Sequence, residues 1–187
     1  MQALFWVALV ALIDQISKYL IVMNLDEYDS ISIWGRIFEI THTRNTGGAF
    51  GVFQNNEMFS SAITLIAALI SIGILAALAS GRVPISLMRW GLVLIAGGAI
   101  GNLADRLREG SVIDFLHFSY RPYFDFPVFN LADTAVVIGT GLVILSLLTK
   151  RAEPSDPASE APPIPQPSAS MSDPDLSHER PNEASKI

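Results

Sequence analysis

Four apolar stretches organise the chain: residues 3–23, 59–79, 87–103 and 131–149. Each is close to the ~20 residues that carry an α-helix across a ~30 Å hydrocarbon core. The pattern therefore predicts an all-α membrane protein, a four-transmembrane-helix bundle. Two connections are long, 24–58 and 104–130, and the one at 80–84 is short. In the first long connection Ile31, Ile33, Ile37 and Ile40 fall among β-branched and aromatic neighbours, and Gly47-Gly48 permits a tight turn. Strands are expected there. A small β-rich loop domain resting on the membrane surface satisfies its backbone groups, which lipid cannot do. Four crossings place both termini on one side and both long connections on the other. The first stretch does not read as a cleaved signal peptide, because it lacks a basic start and Asp14 and Lys18 interrupt it.

Composition agrees with this layout. Apolar residues make up 50% of the 187, charged ones only 16%, and the mean hydropathy is +0.41, whereas soluble domains carry ~25% charged residues. From Glu153 onward there are seven acids and two bases, leaving the body with 11 acids and 10 bases. A body so balanced has no basic stripe for nucleic acid. The stretch 152–187, rich in Pro, Ser and acid, reads as a disordered tail beyond a membrane domain at 1–151. The absence of cysteine removes thiolate metal sites and a cysteine nucleophile. Three histidines without an H-E-x-x-H pattern leave no zinc-protease site, so no metal or cofactor is expected. Arg82, Arg89, Lys150 and Arg151 on the terminal side oppose Arg36, Arg44, Arg106, Arg108 and Arg121 on the loop side. That near-tie leaves the orientation open by charge counting.

The polar residues in and beside the spans carry the chemistry. Asp14 and Lys18, four apart, share a helix face and read as an internal ion pair. Ser17 points to a different face from Lys18, which argues against a Ser–Lys protease. Gly97 and Gly101 form a G-x-x-x-G face for close helix approach. Asn102, Asp105 and Arg106 sit at the end of the third helix, with Arg106 the nearest candidate partner for Asp105. Asp105 is expected to order the segment that carries Asp114. Asp114 lies in Ser111–Leu116, an otherwise apolar run, where desolvation raises a carboxyl pKa. Asn130 is a plausible N-cap for the fourth helix, with Asp133 three residues on at its positive end.

Asp114 and Asp133 bracket the second long connection on one membrane face. Two carboxylates that share a site do not both ionise readily, so one keeps a proton. One then serves as general base toward water and the other as general acid, the chemistry of metal-free peptide hydrolysis. The competing reading is a small proton-coupled transporter with Asp14 as its titrating group. A transporter concentrates its acids near the midplane, whereas here they gather at one surface.

Five stretches carry a resemblance: DQISKYLI (Asp14–Ile21), RNTGGAFGVF (Arg44–Phe53), GGAIGNLADRL (Gly97–Leu107), SVIDFL (Ser111–Leu116) and FNLADTAVVIG (Phe129–Gly139). In this order they resemble the lipoprotein signal peptidases (signal peptidase II) of bacteria. Gly48 departs from the family, which more often has Ala there. The resemblance implies an aspartyl endopeptidase of the cytoplasmic (inner) membrane, with both termini cytoplasmic and the active site at the outer face. It implies Asp114 and Asp133 as the catalytic pair, and Asn45, Asn102, Arg106 and Asn130 as polar residues around substrate and dyad. Asp14, Lys18 and Asp105 match family positions and are assigned structural roles. The implied substrates are prolipoproteins carrying diacylglycerol on a cysteine, cut just before that cysteine. The implied partners are these precursors and membrane lipid; the chain is expected to be monomeric, though the small-residue face of the third helix leaves the oligomeric state open. Phe50 and Phe53 of the first long connection are expected to cover the site.

Overall fold

The computed structural model describes residues 2–35, 37–47, 57–84, 86–120 and 122–151. The tail 152–187, Gly48, Phe50, Phe53, Arg36 and Arg121 lie outside the described residues.

Four helices form the bundle: α1 (Gln2–Asn24), α2 (Glu57–Ala79), α3 (Leu87–Glu109) and α4 (Leu131–Arg151). All four are long and apolar enough to cross a membrane. Their outer faces carry exposed Leu12, Leu65 and Val137, an arrangement that lipid solvates and water does not. The central helix is α3, which packs against α1, α2 and α4. Small residues make this possible. A Cβ on Gly98 would lie 2.3 Å from the backbone oxygen of Ala132 in α4, and one on Gly101 2.5 Å from the Asp14 carboxylate in α1. Only glycine admits neighbours at that range. Toward the terminal side, Ala3, Val7, Leu78, Val93 and Ala96 form a buried apolar cluster.

The third helix does not stop near residue 103 as the apolar pattern predicts. It continues to Glu109, so Asn102, Asp105 and Arg106 are helical. Apolarity measures only the part of a helix that lies in lipid, and these polar residues stay helical because they find partners on other elements. The helix ends at Gly110, whose φ of 69° is left-handed and whose N–H donates to the Arg106 carbonyl at 3.0 Å.

The strands β1 (Ser30–Trp34) and β2 (Phe38–Asn45) form an antiparallel hairpin in the first long connection, where strands were expected. The second long connection adds β3 (Val112–Tyr120) and β4 (Phe124–Asp125), which the pattern did not predict. Together they make one four-stranded sheet in the order β1-β2-β3-β4. Its register opposes Thr43 to Asp114 and Asn45 to Val112. Phe38 and Phe118 tie β2 to β3, with ring centroids 4.6 Å apart. Beyond β4 the chain returns to β3: Phe129 accepts from the N–H groups of Phe115 and Leu116 and donates to the Leu116 carbonyl. The next residue, Asn130, is thereby brought beside Asp114 just before α4 begins.

Candidate active site

Asp114 is 3% exposed and Asn130 fully buried. Asn130 caps α4: its Oδ1 accepts the Asp133 N–H at 2.8 Å, and Asp133 Oδ2 accepts the Asn130 N–H at 3.3 Å. This reciprocal arrangement is a capping box. The Asn130 side-chain amide donates to Asp114 Oδ1 at 2.7 Å. From β2, Asn45 Nδ2 donates to Asp114 Oδ2 at 3.0 Å, while its own oxygen accepts the Gly47 N–H at 2.9 Å. From α3, Asn102 Nδ2 donates to Asp133 Oδ1 at 2.8 Å. Each of the four oxygens of the two carboxylates therefore accepts one N–H donor set by the fold.

The two aspartates face one cavity of about 560 Å³. Asn45, Asn102 and Arg106 share its polar wall, and Phe126, Val128 and Phe129 contribute an aromatic and apolar side. It extends along Ala67 of α2, Ala99 of α3 and Val136–Ile138 of α4. Arg106 donates to the Gly47 carbonyl at 3.3 Å and forms no ion pair within 4 Å among the described residues. Burial, and then the nearby charge of Asp133, push the Asp114 carboxyl up to about 7. Hydrogen bonds from Asn45 and Asn130 oppose that rise. At neutral pH Asp114 is thus divided between acid and carboxylate, which suits proton transfer in both directions. No group of three His, Cys, Asp or Glu residues that could hold a metal occurs among the described residues.

Asp14, Lys18 and Asp105 lie behind this site. Lys18 pairs with Asp14 at 2.8 Å and with Asp105 at 2.7 Å, all three nearly fully buried. Asp105 also accepts from Gln15 at 2.8 Å and lies 3.8 Å from Arg108. Arg106 is therefore not its partner: adjacent helical residues point in different directions, and Arg106 faces the cavity. Nor is the Asp14–Lys18 pair confined to one helix. Asp14 Oδ1 accepts the N–H of Ala132 at 2.9 Å, at the open end of α4, and Lys18 reaches across to α3. Asp14 accordingly sits level with the start of α4 and is fully engaged there, which leaves the transporter reading without its free titrating group. Asp105 Oδ2 accepts the Ile113 N–H at 3.4 Å, adjacent to Asp114. Gln15 and the wall residues Phe126 and Val128 were not singled out by the sequence. Gln15, a polar residue inside an apolar run, offered a signal; the wall residues offered none.

A family model described as signal peptidase (SPase) II matches residues 6–149. The chain is 39% identical over 149 residues to the lipoprotein signal peptidase of Brevibacillus brevis, a match covering 75% of this chain and 90% of that one. It is 40% identical over 142 residues to that of Symbiobacterium thermophilum, covering 75% and 91%. It is 38% identical over 151 residues to that of Pasteurella multocida, covering 80% and 90%. A solved bacterial membrane enzyme superposes with a TM-score of 0.72 at 29% identity, covering 83% of this chain and 92% of that one. A second superposes with a TM-score of 0.65 at 32% identity, covering 79% and 92%.

Proposed function

The chain belongs to the signal peptidase II family, and from that premise we propose that it removes signal peptides from diacylglyceryl-modified prolipoproteins with Asp114 and Asp133 as an aspartyl dyad. The observation that carries this reading is the shared cavity, onto which the buried Asp114 and the half-buried Asp133 both face, oriented by three asparagines. In the proposed step Asp133 takes a proton from water as the water oxygen bonds to the scissile carbonyl carbon. Asp114 gives its proton to the carbonyl oxygen. Collapse of the resulting gem-diol breaks the C–N bond and returns a proton to the leaving nitrogen, and the dyad again holds one proton. Arg106, a cation on the cavity wall, stabilises the developing oxyanion. Asn45, Asn102 and Asn130 hold the carboxylates in place; Asn45 and Asn102, on the cavity wall, are the two that lie beside the substrate, while Asn130, fully buried, acts on the dyad alone.

The placement supports a lipid-anchored substrate. The site lies where α4 begins and the sheet covers the bundle, at the membrane boundary. The apolar arm of the cavity along α2, α3 and α4 accepts the signal peptide while the diacylglycerol stays in lipid. In this reading the protein acts as a monomer in the inner membrane, with its termini cytoplasmic and its sheet outside. The test is incubation of the purified protein with a diacylglyceryl-modified precursor and with its unmodified form, followed by mapping of the cut. Cleavage of the modified form alone, just before the lipidated cysteine, is expected. Equal cleavage of both forms would remove the lipid from the recognition scheme.

A further inference from the structure

Lys18 lies behind the two aspartates and lines no part of their cavity, yet the residue, only 1% exposed, reaches the site through one contact of its ammonium. It donates to Asp14 Oδ2, Asp105 Oδ2 and Asn102 Oδ1 at 2.8, 2.7 and 2.8 Å. Three N–H bonds meet three acceptors. An ammonium has no lone pair to offer, so the Asn102 atom facing it must be the carbonyl oxygen. The Asn102 NH2 then points the other way, onto Asp133 Oδ1. Asn130 also donates to Asn102 Oδ1, at 3.0 Å, but shares its NH2 with Asp114 Oδ1 and the Ile113 carbonyl. The charged donor is the stronger of the two.

We propose that Lys18 is a positioning residue for peptide hydrolysis: through Asn102 it keeps an N–H donor on Asp133 Oδ1, holding in place the carboxylate that takes the proton from water in the proposed step. This rests on the dyad reading above. Without the ammonium, only the shared Asn130 NH2 still holds the Asn102 carbonyl, and the amide can turn to set that carbonyl against Asp133, an arrangement compatible only with a protonated carboxyl. The groups that face Lys18 are Asp14 on α1 and Asp105 on α3, with Arg108 behind Asp105. Arg106 on α3, Asp114 on β3 and Asp133 on α4 complete the local charge. Asp14 and Asp105 neutralise the lysine, so its effect on Asp133 passes through the polarity of one amide more than through bulk charge.

The test is the pH profile of kcat and KM for the full chain in lipid. Lys18→Met strands two buried carboxylates and can unfold the bundle, so it is paired with the triple substitution Lys18→Met, Asp14→Asn, Asp105→Asn, which leaves no buried charge in the cluster. In whichever of these folds, the acid limb of kcat is expected to move up by about one to two pH units, the size of one lost hydrogen bond to a charged group, with KM nearly unchanged. Lys18→Arg, which keeps a donor-only cation, is expected to hold the limb where it is in the wild type, whatever its rate. Uniformly lower rates with unmoved limbs, or a displaced limb in Lys18→Arg, overturn the proposal. Turnover retained by Asp133→Asn in the otherwise wild-type chain sinks the dyad itself, a separate outcome.

Discussion

The two ends of the bundle are held by different forces. Toward the terminal side, Ala3, Val7, Leu78, Val93 and Ala96 meet through close apolar packing. In lipid such contacts gain little from solvent exclusion, so shape complementarity carries them. At the loop side Asp14, Lys18, Asn102, Asp105, Asp114, Asn130 and Asp133 form one continuous hydrogen-bonded set across α1, β3, α3 and α4. Each polar group there is oriented by another, and the set tolerates few changes. The bundle thus keeps its tolerant half away from Asp114 and Asp133 and its exacting half around them.

The hardest break in that contrast falls on the dyad. Asp114→Asn and Asp133→Asn are each expected to lower turnover of a lipidated precursor by about a hundred- to ten-thousandfold, as removal of a general acid or base does. Both proteins should remain in the membrane at wild-type levels, and near-normal turnover in either would falsify the dyad. Next comes Gly98→Val at the α3–α4 contact, where the added Cβ meets backbone at 2.3 Å. Thermal unfolding in lipid should show a loss of about 1–3 kcal/mol, with activity falling as α4 shifts. Val93→Ala, in the apolar half, should lower thermal stability by about 1 kcal/mol while kcat stays near wild type. A large kcat loss there would erase the distinction between the two halves.

A subtler effect separates the two halves by pH. The folded protein holds the Asp114 proton up to about 7, whereas an unfolded chain releases it near pH ~4. The stability linked to this group is therefore present below pH ~4 and lost as pH rises through about 7. Asp114→Asn carries no such loss. Its melting temperature should gain on the wild type between about pH 4 and about pH 7 and keep a steady lead above that, and a difference constant across the whole range would count against a buried, raised carboxyl. The smallest effect is expected at Arg44 of β2, which pairs with Glu27 and with Glu109 at the end of α3, all three partly exposed. Arg44→Gln should cost less than ~1 kcal/mol by the same melting assay.

The helices were legible because lipid imposes a length and an apolarity that nothing else in the chain satisfies. Asp114 stood out for a related reason: a lone acid among Val, Ile and Phe has no solvated face to belong to. The Asn130–Asp133 cap was legible from spacing alone. Other features were hidden by their dependence on tertiary pairing. β3 carries its acid at a position that faces inward, so its alternation is masked, and only the register with β2 defines it as a strand. The partner of Asp105 was misread as Arg106 because proximity in sequence was the only guide, while the true partner lies on α1. Phe126 and Val128 form a cavity wall with residue types that occur everywhere in this chain.

The cavity does not open only toward water. Its wall includes Val137 and Ile138, which are 71% and 52% exposed on the outer side of α4, so one flank gives directly onto the bilayer. Under the proposed function, a substrate anchored by acyl chains would arrive by lateral diffusion in two dimensions. Its relevant abundance is molecules per area of leaflet, and blending inert phospholipid into the vesicles slows encounter even when the bulk molarity of precursor is held constant.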